Sequence, residues 1–248
     1  RQGTHRDRED GCGACVICLN GLEKKLDNRG FWNHRYQTLP ELGSGPGSRG
    51  YAAAGKNQLI KRTITEHGIR SILDVGCGDL CWLDDEIIHA SHYIGLDVAD
   101  VVIEANARRH HGNPSVEFLI HDISKSPFNR KCDLVVCFDV LIHQIDRTDF
   151  DASLRHLIMS ISNVGLVSYL TQEGVFGIPQ IIEEEERVRF MEDDFKSLMS
   201  SLPVDRKSAD TAFHAPLPEA ISAIFNDVAV EPLAQYRRQT VYIIRKKS

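Results

Sequence analysis

The sequence predicts a doubly wound α/β domain, in which helices cover both faces of a mainly parallel sheet. From residue 71 onward, short apolar segments alternate with amphipathic helical segments, and right-handed crossovers turn such a pattern into a parallel sheet. A glycine-rich stretch directly follows the first of these strands, at the edge where such sheets bind ligands. The 248 residues are enough for one domain with a sizeable core.

The elements follow from hydrophobic periodicity. The first helix places Leu59, Ile60 and Ile64 on one face and is followed by Gly68, a residue common at helix ends. Helices are predicted at 51–67, 80–90, 101–111, 149–162 and 183–201. Strands are predicted at 71–75, 92–98, 116–120, 132–138, 164–170 and 240–245.

The charge balance disfavours a nucleic-acid partner. The formal net charge is −6 and the isoelectric point is about 6.0, whereas nucleic-acid binders usually carry a basic surplus or a basic stripe. No apolar run reaches the roughly 18 residues of a membrane helix, and the polar residues 1–10 do not form a secretory signal. We therefore expect a cytoplasmic protein without a membrane partner.

Residues 1–30 are polar and lack a clear period, so we expect an appendage to a domain at 31–248. Three cysteines lie in the appendage: Cys12, Cys15 and Cys18. Structural zinc sites and cysteine-held iron–sulfur clusters take four ligands, so His5 or His34 would have to complete the set. The preferred interpretation is a disordered tail with free thiols and no metal. The other four cysteines lie in apolar stretches and are predicted to be buried: Cys77, Cys81, Cys132 and Cys137.

The stretch Asp-Val-Gly-Cys-Gly-Asp at 74–79 follows the first predicted strand. Its glycines, Gly76 and Gly78, permit a sharp turn and a close approach of the backbone to a ligand. Asp97 closes the second predicted strand, where a carboxylate accepts hydrogen bonds from ribose hydroxyls. The ligand is therefore expected to be either a nicotinamide dinucleotide or S-adenosylmethionine.

Two details favour the second of these cofactors. The dinucleotide fingerprint requires a third glycine three residues after Gly78, and this chain has Cys81 there. Asp74 at the end of the strand suits a ligand with a cationic amino-acid part better than it suits a pyrophosphate. We therefore predict that Asp74 is among the residues that bind the cofactor.

Residues 72–80 resemble the first motif of the class I S-adenosylmethionine-dependent methyltransferases. The similarity continues through three further segments, at 95–98, 121–123 and 132–143. It covers residues 31–246 and implies a seven-stranded Rossmann-like methyltransferase fold with S-adenosyl-L-methionine as the cofactor. By this resemblance Gly76 and Gly78 pass under the methionine part of the cofactor. The family often has a small residue where this chain has Leu80.

The resemblance also implies roles for residues after the second, third and fourth strands. Asp97 binds the ribose of the cofactor. Asp122 with Ile123 meets the amino group of the adenine. Phe138 with Asp139 borders the reacting methyl group.

A second resemblance involves residues 31–50, which contain an aromatic segment followed by a glycine-rich loop. They are similar to the opening segment of some bacterial small-molecule or sugar-modifying methyltransferases. The similarity implies a lid over the cofactor, in which Trp32 and Tyr36 border the cofactor and Ser48 or Arg49 reaches its carboxylate. The alternative is a flexible loop beside a core aromatic residue.

Methyl transfer from a sulfonium is an in-line displacement, for which the enzyme aligns the reactants and excludes water. A base is required only when the acceptor is a hydroxyl or a protonated amine. His143 follows the fourth strand, and an imidazole titrates in a suitable range for a base. The alternative for His143 is a polar residue that caps a helical turn. Asp139 is expected either to orient the acceptor or to hold the ammonium group of the cofactor.

The expected function is methyl transfer to a small-molecule acceptor, at a hydroxyl of a sugar or a secondary metabolite. Two alternatives stay open: methylation of a protein or an RNA, and a catalytically inactive binding protein with a cofactor fold. The intact glycine pair and the acids at positions 97 and 122 favour a working cofactor site.

Overall fold

The computed structural model describes residues 27–144, 146–171, 216–236 and 239–247. The strands are β1 (Ser71–Val75), β2 (His92–Asp97), β3 (Val116–Ile120), β4 (Cys132–Cys137), β5 (Ile161–Leu170), β6 (Val228–Tyr236) and β7 (Gln239–Lys246). The α-helices are α1 (Asn28–Thr38), α2 (Gly50–His67), α3 (Asp85–Ala90), α4 (Asp100–Arg109), α5 (Arg147–Met159) and α6 (Leu217–Ser222). The helix predicted at 183–201 and the three appendage cysteines lie outside the described residues.

The seven strands form one sheet in the order β3-β2-β1-β4-β5-β7-β6. Strands β1 to β5 pair in parallel, while β7 runs antiparallel to both β5 and β6. The carboxyl ends of the five parallel strands therefore meet at one edge of the sheet. The strand order reverses at β1, because β2 lies on one side of it and β4 on the other, which creates the crevice where doubly wound sheets bind ligands.

Alternate side chains along each strand point into two separate cores. Leu73 packs in the core that α5 and α6 cover, and its neighbour Ile72 packs in the core that α2 and α3 cover. Both side chains are at most 1% exposed. The predicted doubly wound, mainly parallel sheet with helices on both faces is confirmed. None of the helices in the described part of the chain combines the length and apolar content that a membrane crossing requires.

Two predicted features differ from the structure near the glycine-rich stretch. The helix predicted at 80–90 begins only at Asp85, because Leu80 has a left-handed backbone with φ 57° and the chain turns before the helix starts. The side chain of Asn57 holds this turn by donating to the Trp82 carbonyl at 2.5 Å. Cys81, which was predicted to be buried, is exposed in this turn.

Three described elements have no counterpart in the sequence prediction: α1, α6 and β6. Strand β6 is the edge strand, it contains Pro232, and its pairing with β7 shifts register between Pro232 and Ala234. A proline within an apolar run weakens the pattern of a strand, although edge strands and bulges tolerate it. Helix α1 begins at Asn28, capped by the Asp27 carboxylate, a few residues before the predicted domain boundary at 30/31.

Candidate active site

The glycine-rich loop is held against β2 by its own backbone. The N–H groups of Gly76 and Cys77 both donate to the Leu96 carbonyl, at 2.7 and 3.0 Å. Gly76 and Gly78 have φ values of 76° and 59°, in the left-handed region that favours glycine. A side chain at Gly76 would overlap with Val140, and one at Gly78 would overlap with a serine hydroxyl. Glycine is therefore required at both positions because other side chains of the protein pack directly against the backbone of the loop.

That serine, Ser44, belongs to residues 43–49, which form the second part of the connection between α1 and α2 and which we call the strap. The Ser44 hydroxyl donates to the Asp79 carboxylate at 2.8 Å and accepts from the Asp79 N–H at 3.0 Å. The Ser44 N–H also donates to this carboxylate, at 3.2 Å. Tyr36 reaches the same hydroxyl at 3.1 Å. The strap is thus fastened across the glycine-rich loop.

Asp97 lies at the end of β2, beside the same loop. Its carboxylate accepts from the Gly78 N–H at 3.0 Å and from the Ala99 N–H at 2.9 Å. Burial raises the pKa of Asp97 to about 6, although backbone hydrogen bonds oppose this shift. Each carboxylate oxygen can accept more than one hydrogen bond, so Asp97 retains acceptor capacity for a ligand.

A cavity of about 770 Å³, counted out to its open mouth, lies at the carboxyl edge of the sheet. Ten of the thirteen predicted site residues line it: Trp32, Tyr36, Ser48, Gly76, Asp97, Asp122, Ile123, Phe138, Asp139 and His143. The cavity has walls from α1, the strap and the ends of the parallel strands, so the structure brings together residues far apart in the sequence.

Three predicted site residues do not line the cavity: Arg49, Asp74 and Gly78. Asp74 is 2% exposed and accepts a hydrogen bond from the Tyr93 hydroxyl at 2.6 Å. Burial raises the pKa of Asp74 to about 7, against the effect of that hydrogen bond. The Arg49 guanidinium lies 3.9 Å from the Asp79 carboxylate and contacts Cys81.

Asp122 and its apolar neighbours form a separate part of the wall. One oxygen of the Asp122 carboxylate accepts from the N–H and the hydroxyl of Ser124, at 2.9 and 2.7 Å. The other oxygen has no hydrogen bond to the described residues. Ile123 and Phe138 are 5% and 6% exposed and line the cavity. This wall combines an acceptor with apolar surface, as an adenine ring with its amino group requires.

Asp139 follows β4 and has a left-handed backbone with φ 59°. Its carboxylate accepts hydrogen bonds from Lys56 at 2.5 Å, from the Tyr236 hydroxyl at 3.0 Å and from Gln239. Burial by itself raises the pKa of the Asp139 carboxyl, but the charge of Lys56 and these hydrogen bonds outweigh burial, so the pKa lies below its ordinary value. Asp139 is therefore poorly suited to act as a general base.

Sequence reasoning did not identify several residues of the cavity wall: Asn28, Ser44, Lys56, Val75, Trp82, Val98, His121, Val140 and Gln144. The sequence did contain a signal for Lys56. Ala52, Lys56 and Ile60 follow one another at four-residue spacing on α2, and all three are buried. A lysine within a buried stripe requires a partner, and here the partner is Asp139.

His143 lies on a 3₁₀-helix at Leu141–His143 that follows the β4 end. Its ring meets the ring of Trp32 edge to face, with 5.2 Å between centroids and 76° between planes. Both rings line the cavity. The structure therefore places the predicted base in contact with the predicted lid aromatic.

The cavity residues fit an adenosyl cofactor. Asp97 and Asp122 offer acceptors in separate parts of the wall, and Ile123 and Phe138 offer apolar faces. A pyrophosphate would instead meet the acidic Asp97 and Asp139 at this edge. The donor and acceptor set thus agrees with S-adenosylmethionine rather than with a dinucleotide.

Residues 72–165 match the family model of the methyltransferase domain. The matched span runs from β1 into β5 and includes the glycine-rich loop, Asp97, Asp122 and His143. No curated protein matches the sequence.

Two solved structures illustrate the similarity of the fold. Magnesium protoporphyrin IX methyltransferase from Synechocystis PCC 6803, with bound S-adenosylhomocysteine, is 13% identical with a TM-score of 0.56; the alignment covers 88% of this chain and 97% of that chain. The N-methyltransferase NodS from Bradyrhizobium japonicum WM9, also in complex with S-adenosylhomocysteine, is 11% identical with a TM-score of 0.54; the alignment covers 86% of this chain and 98% of that chain. The predicted Rossmann-like methyltransferase fold is confirmed.

Proposed function

We propose that this chain, which matches the methyltransferase-domain model at residues 72–165 and has a methyltransferase fold, transfers a methyl group from S-adenosylmethionine to a hydroxyl group of a small molecule, such as a sugar or a secondary metabolite. The observation that carries this proposal is the imidazole of His143 in the cavity wall, in contact with Trp32. A hydroxyl acceptor must lose a proton, and an imidazole can take it. One of the two similar structures described above is a methyltransferase of magnesium protoporphyrin IX, which is likewise a small molecule.

The acceptors and apolar faces described above support a placement of the cofactor along the cavity wall. We propose that Asp97 binds the ribose hydroxyls and that Asp122 with Ile123 receives the adenine. Trp32 and Tyr36 border the cofactor from the side of the strap. Gly78 of the glycine-rich loop, Arg49 of the strap and the buried Asp74 lie outside the cavity lining, so they are not assigned direct contacts with the cofactor.

The bound cofactor supplies an activated methyl group on a sulfonium. In the proposed reaction the acceptor oxygen forms a bond to this methyl carbon as the carbon–sulfur bond breaks, and His143 takes the hydroxyl proton. The Trp32 ring limits the orientation of the imidazole through the edge-to-face contact. Asp139 does not compete for the proton, because its carboxylate is held ionised by Lys56.

The proposal is tested by incubating the protein with methyl-labelled S-adenosylmethionine and separate pools of small metabolites, protein and RNA. We expect label to enter the small-metabolite pool and to resist the mild base that cleaves methyl esters. Label recovered only in protein or in RNA would contradict a small-molecule acceptor. A lack of transfer to every pool, with cofactor binding intact, would favour the binding-protein alternative.

The role of Asp97 gives a prediction that does not require the acceptor. Replacing Asp97 with alanine is expected to weaken the binding of S-adenosylhomocysteine by about 1–3 kcal/mol, since charged hydrogen bonds to the ribose are lost. Titration calorimetry at pH 8 measures this, because Asp97, with a pKa of about 6, is ionised there.

Asp133→Asn is the matched control for this prediction. Asp133 accepts hydrogen bonds from the backbone of Arg70 and Ser71 at the opposite edge of the sheet. Its replacement should leave the affinity for S-adenosylhomocysteine unchanged. Equal losses of affinity in the two variants would show that Asp97 acts through stability and not through contact with the ribose.

A further inference from the structure

Lys56 is a charged residue that the proposed reaction does not use, yet it lies in the wall of the cavity. Its side chain is 1% exposed. The ammonium lies over three aromatic rings, 4.7 Å from the centroid of Tyr236, 5.4 Å from Phe138 and 5.5 Å from Trp82. Aromatic faces attract cations, so the ammonium is held in one place.

The ammonium of Lys56 also donates to two acceptors, one in the strap and one in the turn after β4. Lys56 donates to the Gly47 carbonyl at 2.7 Å and to the Asp139 carboxylate at 2.5 Å. Gly47 belongs to the strap, and Asp139 belongs to the turn after β4. Lys56 therefore connects the strap to this turn through hydrogen bonds to both.

Asp139 is itself fixed by a closed ring of hydrogen bonds. Its N–H donates to the Ser168 hydroxyl at 2.8 Å, which donates to the Gln239 side-chain carbonyl at 2.9 Å. The Gln239 amide then donates back to the Asp139 carboxylate. This support holds a non-glycine residue in a left-handed backbone, a conformation that surrounding structure must impose.

The turn that Asp139 fixes leads into residues that contact the glycine-rich loop and into the proposed base. Val140, the next residue, packs against Gly76 of the glycine-rich loop, and His143 follows on the 3₁₀-helix. Gly47 packs against the Asp139 carboxylate so closely that it has no room for a side chain. A shift of Asp139 would therefore move the strap, the glycine-rich loop and the imidazole relative to one another.

The Lys56 side chain is buried and that of Asp139 is 20% exposed. An ion pair so far withdrawn from water contributes little net stability, because the cost of desolvating the charges offsets their attraction. Stability alone is thus a weak reason for placing this pair in a cavity wall. We propose that Lys56 is a positioning residue for methyl transfer: its ammonium joins the strap to the turn after β4 and thereby sets the shape of the cofactor cavity. This inference rests on the proposed function of the site, but its test does not need the acceptor.

The test separates positioning from stability by removing one charge or both. Lys56→Met leaves Asp139 ionised without its partner, and Asp139→Asn leaves the ammonium without its partner, so each single variant should have a lowered melting temperature. The double variant Lys56→Met with Asp139→Asn buries neither charge, and its melting temperature should return close to the wild-type value. Lys61→Met on the exposed face of α2 is the control and should change neither stability nor binding.

The decisive measurements on the double variant are the dissociation constant of S-adenosylhomocysteine and the hydrogen exchange of strap amides. We expect the dissociation constant of the double variant to be at least about tenfold higher than that of the wild type. Exchange across residues 47–49 should be faster than in the wild type. A double variant with wild-type affinity and wild-type strap exchange would overturn the proposal.

If the double variant does not fold, the two single variants below their melting temperatures give the same comparison. Hydrogen exchange of the strap amides should be faster in Lys56→Met than in the wild type. It should be unchanged in Asp139→Asn, where the hydrogen bond from Lys56 to the Gly47 carbonyl persists. Equal exchange in both variants would overturn the proposal. Failure of the proposed function shows differently: the wild-type protein would bind S-adenosylhomocysteine but methylate no small molecule.

Discussion

Replacing His143 with alanine is expected to lower kcat for methyl transfer by about 10²–10⁴, the usual contribution of a general base. The affinity for S-adenosylhomocysteine should change little, because the assigned ribose and adenine partners, Asp97 and Asp122, are untouched. The wild-type rate should rise with pH across the neutral range, where an imidazole loses its proton. Steady-state kinetics from pH 5.5 to pH 9 measure both effects, and the variant should have lost this dependence.

His111→Ala provides the comparison, since this histidine is exposed and does not line the cavity. It should retain the wild-type kcat and pH profile. A His143→Ala enzyme with near wild-type turnover and an unchanged pH profile would remove His143 from the chemistry. Alignment of the reactants would then be the remaining source of catalysis.

Replacing Gly78 with alanine is expected to destabilise the protein by about 2–5 kcal/mol. About 1–2 kcal/mol arises from a side chain in a left-handed backbone, and about 1–3 kcal/mol from overlap with Ser44 and Tyr36. Because the strap must move to make room, the affinity for S-adenosylhomocysteine should also fall. Urea denaturation and calorimetry measure the two effects.

The chain contains a matched control for this prediction. Gly68 has the same φ of 59°, but a side chain there would meet nothing within 4 Å. Gly68→Ala should therefore show only the backbone cost and leave cofactor affinity unchanged. Equal losses of unfolding free energy in the two variants would mean that the strap does not press on Gly78.

The parts of the fold that the sequence predicted well are those set by local pattern. Strands β1 and β3 have the predicted bounds, because each is a short apolar run between turns. Edge strand β6 was not predicted, since Glu231 and Pro232 interrupt its apolar pattern and its stability comes from pairing with β7. When a strand is stabilised by pairing with another strand, the local sequence pattern alone predicts it poorly.

The candidate site shows the same limit. Gly76, Asp97, Asp122 and His143 could be found from the ends of predicted strands, and all four line the cavity. The pairing of Asp139 with Lys56 joins positions 83 residues apart, so no local pattern revealed it.

The hydrogen bonds of Asp139 also bear on the order in which parts of the protein fold. Its partners lie 83 residues earlier, at Lys56, and 97 and 100 residues later, at Tyr236 and Gln239. During synthesis the central strands can pair before those last two residues leave the ribosome, whereas the carboxylate must wait for them. The hydrogen bonds of this carboxylate are therefore complete only after the last strand has been made, so the cavity should be among the last regions to consolidate. Truncation before Tyr236 would remove β7 and leave β6 without its partner, so only the five parallel strands could pair and the cavity would stay unfinished.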